Sequence, residues 1–271
     1  MTTEDEPEEG VRCNRCGFCL STCPIYRATG IESSSPRGHN ALLQDRWEGE
    51  VELTTEAGEY LQECLLCGAC QANCFPGVRT PELIVHERHL LQERFGQPLS
   101  QRLLLRYFLQ KPNRLSLLGK AARLGGWIGS RVRPSKMDSL PPLSFERPLH
   151  NRLKELISPP TGKGRPLVYF LGCGINYLSP QAGEATLRLL LSQGFRVSVP
   201  QLHCCGLPAY SLGDLEAARS LARKNLQLLS RLEAETIVAD CAGCSSFLKD
   251  YSRLLQGDPQ YEAAAVSFSQ K

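Results

Sequence analysis

The sequence predicts two domains of different class, a small α-helical domain followed by a small parallel α/β domain. Three observations predict this arrangement. A four-cysteine run occurs twice before residue 77, with helix-forming segments between the copies. Residues 133–165 are rich in proline, a composition typical of a linker. Beyond them strand-forming and helix-forming segments alternate, which is the pattern of parallel βαβ units.

The repeated cysteine run reads C-x2-C-x2-C-x3-C, and its copies occupy residues 13–24 and 64–76. Cysteines at this spacing ligate [4Fe–4S] clusters, and in two-cluster proteins the fourth cysteine of each run ligates the other cluster. Gly17 and Gly68 stand at matching positions, where the backbone must curl tightly. The sequence therefore predicts two [4Fe–4S] clusters, the first held by Cys13, Cys16, Cys19 and Cys74, and the second by Cys64, Cys67, Cys70 and Cys23.

Zinc and disulfides are the alternative roles for these eight cysteines. Paired zinc knuckles also use cysteines two residues apart, and a disulfide framework also uses an even number of them. Two four-cysteine runs of identical spacing are a stronger signal for clusters than for zinc. Disulfides are rare in proteins that stay in a reducing compartment, where closely spaced thiols are usually metal ligands.

Length and composition predict about two domains with an ordinary soluble balance of residues. The chain has 271 residues, of which 42% are hydrophobic and 22% charged, with 13 cysteines and a formal charge of +3. Residues 1–10 form an acidic tail, unlike the basic and then apolar start of a secretory signal. No apolar run reaches the length of about eighteen residues of a membrane span. We therefore expect a cytoplasmic protein, or one peripheral on the cytoplasmic face of the inner membrane.

Helix-forming segments surround the second cysteine run. Helices predicted over residues 41–47 and 54–63 favour an α-helical ferredoxin domain over the β-edged bacterial type. A further helix over residues 81–95 has an apolar side formed by Leu83, Ile84, Leu90 and Leu91. Its histidines, His86 and His89, either face a cluster or are solvated, and solvation is the commoner state of histidines on a helix.

Residues 94–137 form a basic stretch with ten Lys or Arg residues, no Asp or Glu, and interleaved leucines and aromatics. Such a stretch can bind an anionic membrane surface or an acidic partner. It can equally be a solvated helical face whose apolar side lies in the core. No recognised nucleic-acid-binding motif accompanies the charge, so we expect no nucleic-acid partner.

The second half of the chain predicts strands and helices in alternation. The strands are expected at 167–171, 195–199 and 236–239, and the helices at 180–192, 214–232 and 245–255. In parallel sheets the ligand site lies at the carboxyl ends of the strands. The remaining five cysteines follow the three strands in turn, as Cys173, then Cys204 and Cys205, then Cys241 and Cys244. The sequence therefore predicts that these thiols meet at one edge of the sheet.

Five thiols at one edge exceed the four that a zinc ion or a cubane needs. An unusual iron–sulfur cluster, a zinc ion and a dithiol/disulfide couple all remain open, beside the simpler interpretation of buried structural cysteines. His203, next to Cys204, either tunes or ligates a metal or has a structural role. The glycines around Cys173 lack the rest of a dinucleotide fingerprint, so nucleotide binding is not predicted.

Taken together, these motifs resemble the iron–sulfur subunit of glycolate oxidase and its relatives in lactate utilisation and anaerobic glycerol-3-phosphate dehydrogenase. The resemblance covers nearly the whole chain. It rests on both cysteine runs, on Ser35-Pro36-Arg37-Gly38, on Gly77-Val78, on Cys204-Cys205-Gly206, and on residues 254–261. The Cys-Cys-Gly segment also resembles the cysteine-rich domain of heterodisulfide reductase. That resemblance implies a noncubane [4Fe–4S] cluster, a third one, at Cys173, Cys204, Cys205, Cys241 and Cys244.

The chain departs from the family pattern at three places. Phe75 stands where the family has proline, with Pro76 one place later, and His39 stands where an arginine is usual. Family members usually carry two Cys-Cys-Gly repeats, and this sequence carries one. We therefore expect a short or fragmentary form, or a form in which another chain supplies the second repeat.

The resemblance implies an electron-transfer subunit that works with an FAD-containing hydroxy-acid dehydrogenase subunit acting on glycolate or lactate. Electrons would pass through the clusters toward quinone or another acceptor, without catalysis by this chain alone. The alternative is a thiol–disulfide reductase like heterodisulfide reductase, with its active centre at the Cys-Cys-Gly segment. The expected organisation is an acidic tail (1–10), a helical ferredoxin domain (11–95), a basic and proline-rich connector (96–165) and a cysteine-rich domain (166–271).

Overall fold

The structure is a computed structural model that describes residues 12–111, 114, 148–153, 164–232 and 236–270. The acidic tail and most of the basic and proline-rich connector lie outside these residues. The chain divides into two compact units. The first unit contains the residues up to Leu99 together with Pro208–Leu215, and the second contains Ser100–Leu207 and Glu216–Lys271.

The first unit is helical throughout its described regular structure, as the sequence predicts. Its helices begin with α1 (Pro24–Thr29), α2 (Pro36–Trp47), α3 (Thr55–Gln62), α4 (Ala69–Ala72) and α5 (Thr80–Phe95). Side chains fix where two of them begin. The hydroxyl of Ser35 accepts the amide of Gly38 at 3.0 Å, and the hydroxyl of Thr54 accepts that of Ala57 at 3.1 Å. Both are N-caps, which satisfy amides that a helix leaves unpaired at its start.

Three of these helices enclose the core of the first unit. The predicted apolar side of α5 is confirmed, because Leu83, Ile84 and Leu91 are buried there and Leu90 is partly buried against them. They pack with Leu43 of α2 and Leu61 of α3. The core thus fixes α2, α3 and α5 against one another, and the second cysteine run lies between α3 and α5.

The second unit holds a small parallel sheet. In chain order the elements after α5 are α6 (Leu99–Leu103), continued by a π-helical turn at Leu104–Phe108, a 3-10 turn at Leu149–Asn151, β1 (Pro166–Tyr169), α7 (Cys173–Leu178), α8 (Pro180–Ser192), β2 (Arg196–Ser198), α9 (Leu207–Ser211), α10 (Leu215–Leu229), β3 (Thr236–Val238), α11 (Ala242–Lys249), α12 (Tyr251–Leu254) and α13 (Glu262–Ser269). The strand order is β2-β1-β3, with both pairs parallel. The prediction of parallel βαβ units is therefore confirmed.

Strand β1 is the central strand and the most buried one. Leu167 pairs with Val197 of β2 on one side and with Thr236 of β3 on the other. Tyr169, the last residue of β1, and Leu187 of α8 are fully buried in the core around this strand. Because the chain leaves β1 for β2 and later returns to the opposite side of β1 as β3, the strand order reverses at β1. Such a reversal opens a crevice at the carboxyl ends of the strands, where ligands bind in open α/β sheets.

The helix predicted over residues 41–47 begins five residues earlier than expected, at Pro36. The helix predicted over residues 245–255 is observed as two helices, α11 and α12, with Asp250 between them. Helix α11 also begins three residues earlier, directly after Cys241. The helix predicted over 214–232 ends earlier than expected, at Leu229, whereas α8 has the predicted bounds. In the described part of the chain, no helix is both long and apolar enough to cross a membrane.

The segment Pro208–Leu215 groups with the helical unit although it follows the Cys-Cys-Gly motif in the chain. It packs on α5, where the carbonyl of Gly213 bonds the Nδ1 of His89 at 3.0 Å. Gly213 has a φ of +88°, and a Cβ there would lie 2.6 Å from the carbonyl carbon of Arg88. Only glycine fits this close approach of two backbones.

Candidate metal-cluster sites

Five cysteines line a first cavity in the helical unit, namely Cys13, Cys16, Cys19, Cys70 and Cys74. They include all four cysteines that the sequence predicts for the first cluster, three from the first run together with Cys74 from the second. Phe18 and Arg37 also line this cavity.

A second cavity lies among the thiols of Cys23, Cys64, Cys67 and Cys70. This is the set predicted for the second cluster, again with one thiol from the other run. Cys70 lines both cavities. Cys23 is the N-cap of helix α1. Cys74 comes directly after Asn73, the C-cap of the short helix α4.

The backbone follows the same unusual path in the two runs. Arg15 and Leu66, each the residue before the second cysteine of its run, have φ values of +52° and +54°. Gly17 and Gly68, each the residue after it, have φ values of +82° and +74°. Non-glycine residues rarely adopt this left-handed conformation, and such strain concentrates at functional sites. Sequence reasoning identified the glycines but missed Arg15 and Leu66, whose side-chain types give no signal of it.

Backbone amides point at three of the thiols. The amides of Tyr26, Leu66 and Val78 donate to the sulfurs of Cys23, Cys64 and Cys74 at 3.5, 3.4 and 3.3 Å. A hydrogen bond to sulfur stabilises the thiolate more than the thiol. Each predicted set of four thiols lines one cavity, and backbone amides donate to sulfurs of both sets. These features fit a [4Fe–4S] cluster in each cavity.

Burial raises the pKa of three of these thiols. Desolvation raises the pKa of Cys70 to about 11 and is the main cause of the raised pKa values of Cys19 and Cys64. The amide of Leu66 and the positive charge of Arg88 act in the opposite direction on Cys64. Since thiolates are the ligands, cluster binding at these sites releases protons and becomes more favourable as the pH rises.

Neither His86 nor His89 lines either cavity. The interpretation of both as solvated is wrong for His86, which is 8% exposed and lies with its Nδ1 3.8 Å from the buried carboxylate of Glu87. His39 does line the second cavity, and its Nε2 bonds the carbonyl of Tyr60 at 3.0 Å. Because Tyr60 offers an acceptor, that Nε2 carries the proton of a neutral imidazole.

In the sheet unit four of the remaining thiols form a contiguous group. The sulfurs of Cys173 and Cys204 are 3.9 Å apart, and hydrogen bonds continue from Cys204 to Cys205 and from Cys205 to Cys244. Cys204, Cys205 and Cys244 are buried. The fifth, Cys241, is the N-cap of α11 and comes three residues after β3. The group thus follows the carboxyl ends of the strands, as predicted from the sequence.

Three thiols of this group, those of Cys173, Cys204 and Cys205, also have raised pKa values. The hydrogen bond to Cys204, followed by burial, raises the pKa of Cys173 far above its ordinary value. The pKa of Cys204 is raised to about 12, because the bond from Cys173, which lowers it, is outweighed by the bond to Cys205 and by burial. Thiolates can therefore form in this group only where a positive charge lies beside them, and a bound metal centre supplies such a charge.

Two buried polar residues hold the Cys-Cys-Gly backbone in place. Asn225 of α10 donates to the carbonyl of Cys204 at 3.0 Å, and the hydroxyl of Tyr251 donates to the carbonyl of Cys205 at 2.6 Å. Asn225 and Tyr251 also bond each other at 3.2 Å, and neither has any exposed surface. Sequence reasoning missed both residues, since nothing in their local sequence marks them as partners of cysteines more than twenty residues away.

His203 fits the structural role better than that of a ligand. Its backbone amide donates to the side chain of Asn225 at 2.9 Å, which ties it to the same network. Burial is the main cause of its lowered pKa. Among the residues that the structure describes, no three His, Cys, Asp or Glu side chains converge as the ligands of a single metal ion do. The thiols of the helical unit instead surround cavities.

Comparison with known proteins finds a matching family model for one segment in each part of the chain. The family model of the 4Fe-4S dicluster domain matches residues 9–78, and that of the Cysteine-rich domain matches residues 167–249. The probable glycolate oxidase iron–sulfur subunit of Bacillus subtilis is 28% identical, over 100% of this chain and 68% of its own length. The glycolate oxidase iron–sulfur subunit of Escherichia coli is 31% identical, over 95% of this chain and 62% of its own.

A third relative is a subunit of a heterodisulfide reductase. One subunit of the dihydromethanophenazine:CoB–CoM heterodisulfide reductase of Methanosarcina barkeri is 25% identical, over 94% of this chain and 61% of its own length. The chain therefore spans about two thirds of the length of these curated relatives. No solved structure matches it.

Proposed function

We propose that this chain, a homologue of the iron–sulfur subunits of glycolate oxidase, is the electron-transfer subunit of a flavin-dependent 2-hydroxy-acid dehydrogenase complex. A partner subunit containing FAD would oxidise glycolate or lactate to the corresponding 2-oxo acid. The two electrons would then leave the flavin one at a time through this chain, toward quinone or another acceptor. The names of the relatives motivate the substrate class and the flavoprotein partner.

The observation that carries this proposal is the pair of cavities in the helical unit, each lined by all four cysteines of one predicted ligand set. Cys16 of the first set and Cys67 of the second are exposed, whereas Cys23 and Cys70 are buried. Each set therefore has one thiol at the surface, from which an electron can be exchanged with a partner. We propose Cys13, Cys16, Cys19 and Cys74 as the ligands of one cluster, and Cys23, Cys64, Cys67 and Cys70 as those of the other.

Bound [4Fe–4S] clusters would supply the one-electron redox chemistry, and the chain would supply ligation, burial and the hydrogen bonds that set their potentials. Amides such as that of Val78, which donates to Cys74, stabilise negative charge on the ligand sulfurs. In this proposal the chain does no hydroxy-acid chemistry of its own. Oxidation of glycolate by the isolated chain, without a flavoprotein, would contradict it.

Metal analysis of the chain purified without oxygen is the experiment that tests the proposal. We expect at least about eight irons and eight sulfides per chain, with little zinc, and electron paramagnetic resonance signals of two clusters after reduction. About twelve irons would add a third cluster at Cys173, Cys204, Cys205, Cys241 and Cys244, which we propose as its ligands. Zinc without iron would contradict the electron-transfer function altogether.

The contiguous thiols of the sheet unit favour one alternative function, a thiol–disulfide reductase. Cys204 and Cys205 are neighbours in the chain, and Cys173 and Cys244 extend the group on either side. Electrons from the clusters would there reduce a bound disulfide to two thiols. The same preparation distinguishes the two functions when it is given a disulfide and a low-potential electron donor. Turnover would favour the reductase, and its absence with all clusters present would remove it.

We also propose that the basic stretch of residues 94–137 contacts an anionic membrane surface. Its described part supports this, because Leu99, Leu103 and Tyr107 are 79%, 49% and 46% exposed beside Arg102 and Arg106. Apolar side chains next to cations are typical of interfacial segments. Residues 115–137 lie outside the described part of the chain.

We expect the chain to co-sediment with anionic phospholipid vesicles at low salt and to be released as salt is raised. Salt screens charges that are separated by more than about 8–10 Å in 0.1–0.15 M solution, so an electrostatic contact weakens. Vesicles of neutral lipid are the control. Binding that does not change between low and high salt would contradict the proposal.

A further inference from the structure

The two cavities of the helical unit differ in the charge that accompanies them. Arg37 lines the first cavity, and its guanidinium is paired with the carboxylate of Glu32. The two bonds of the pair measure 2.6 Å from Nε to Oε1 and 3.0 Å from Nη2 to Oε2. Both side chains are more than a third solvent-accessible, at 35% and 48%. The first cavity therefore has a neutral and solvent-screened pair beside it.

Beside the second cavity lies Arg88 of α5, which is only 3% exposed. Its guanidinium donates to the carbonyl of Leu61 from Nε at 3.1 Å and from Nη2 at 2.6 Å. It also donates to the carbonyl of Cys64 at 2.7 Å and to that of Ser211 at 2.5 Å. Among the described residues no carboxylate forms an ion pair with it. Arg88 is thus a buried cation whose neighbours are neutral carbonyl groups.

A buried cation without a counter-ion is costly, because the protein interior solvates it less well than water does. Arginine cannot lose its proton in proteins, so burial cannot neutralise it. A full negative charge nearby would offset the cost. The thiolates of Cys23, Cys64, Cys67 and Cys70 would bring that charge to the second cavity, and Arg88 is bonded to the backbone of one of them.

We propose that Arg88 is the counter-charge of the second cluster and that it holds the reduction potential of this cluster above that of the first. The inference rests on the proposed electron-transfer function and adds the direction of transfer within the chain. Reduction adds one negative charge to a cluster, and a fixed cation in a medium of low dielectric constant stabilises that charge. Since Arg37 is neutralised by Glu32 and screened by water, the first cluster lacks this stabilisation. Electrons entering at the first cluster therefore move to the second.

The test is a redox titration of the full chain, followed by electron paramagnetic resonance, in four proteins. These are the wild type, Arg88→Gln, Arg88→Lys and Arg94→Gln. We expect Arg88→Gln to lower the potential of the second cluster by at least a tenfold change in its reduced-to-oxidised ratio, which is about 59 mV for one electron. Arg88→Lys keeps the charge and should retain most of the potential. Arg94→Gln removes an exposed charge of the same helix, away from both cavities, and should leave both potentials within a twofold change in that ratio.

Three results would overturn the inference. One is an Arg88→Gln protein with both clusters and unchanged potentials. Another is an equal fall in Arg88→Gln and Arg88→Lys, since the hydrogen bonds and not the charge would then set the potential. The third is a wild-type protein whose first cluster has a reduction potential equal to or above that of the second. The signal of the first cluster is the one that disappears in Cys16→Ala, and that of the second is the one that disappears in Cys67→Ala. Metal analysis of each protein separates these results from failure of the proposed function, which would show as a wild type without iron–sulfur clusters.

Discussion

Replacing Cys74 with alanine is expected to remove the same cluster as replacing Cys16, although the two residues lie in different cysteine runs. Cys74 shares its cavity with Cys13, Cys16 and Cys19 of the first run. By the same reasoning, Cys23→Ala should remove the same cluster as Cys67→Ala, because Cys23 lines the second cavity. Each variant is expected to lose about four of eight irons, the content of one cubane.

The physical reason is the path of the chain after the third cysteine of each run. Cys23 is the N-cap of α1, and its sulfur accepts the amide of Tyr26 at 3.5 Å, so that the start of the helix fixes its direction. Cys74 is fixed in a similar way by the amide of Val78, at 3.3 Å. Both fourth cysteines are therefore held by local bonds that direct them toward the cavity of the other run.

The measurement compares the spectrum of the reduced cluster that survives in each variant. The survivors in Cys74→Ala and Cys16→Ala should have the same signal, and those in Cys23→Ala and Cys67→Ala should share a different one. If Cys74→Ala instead matched Cys67→Ala, each run would hold its own cluster, and the assignment of ligands across the runs would be wrong. Cys241→Ala is a control in the other unit and should leave both signals unchanged.

The parallel sheet could be predicted because the alternation of strands and helices is a local pattern of the sequence. The ligand sets stay predictions, which the spacing of the cysteines motivates. The helix predicted over residues 180–192 has the bounds observed for α8. The predicted apolar side of α5 is buried, because its 3.6-residue period requires no knowledge of the partner helices.

The remaining features of the sites depend on contacts between residues far apart in the chain. Asn225 and Tyr251 hold the carbonyls of Cys204 and Cys205, and only the packing of α10 and α12 brings them there. Arg88 binds the carbonyl of Ser211, 123 residues away. An arginine on a helix is usually solvated, so no local pattern predicts that Arg88 is buried. Long-range polar contacts of this kind leave no periodic pattern, which is why sequence reasoning missed them.

In the sheet unit, Gly172→Ala is the substitution from which we expect the largest loss of stability. A Cβ at this position would lie 2.9 Å from the sulfur of Cys244, closer than a carbon and a sulfur that are not bonded can pack. Cys244 is 5% exposed and is hydrogen-bonded to Cys205, so its side chain has no free space to enter. Gly172→Ala should therefore displace Cys244 from the thiol group and destabilise the unit by about 1–3 kcal/mol, the usual effect of overpacking.

Gly174 provides the matched control, two residues further along in α7. A Cβ there has no neighbour within 4 Å, and alanine is favoured over glycine inside a helix by up to about 1 kcal/mol. Gly174→Ala should therefore leave stability unchanged or slightly raised. Thermal unfolding of the two variants measures the difference, since 1 kcal/mol shifts the midpoint by about 2–4 °C in a domain of 150–250 residues and by more in a smaller one.

The iron content of the same two variants then distinguishes two roles of the thiol group, ligation of a third cluster and a dithiol centre. If a third cluster binds there, Gly172→Ala should lose its iron while Gly174→Ala and both clusters of the helical unit are unaffected. If the group is a dithiol centre, Gly172→Ala should keep its iron content but lose turnover with a disulfide. Equal stability, equal iron and equal turnover in the two variants would mean that Cys244 does not pack against Gly172, and that the contiguous arrangement of these thiols has no part in the function of the chain.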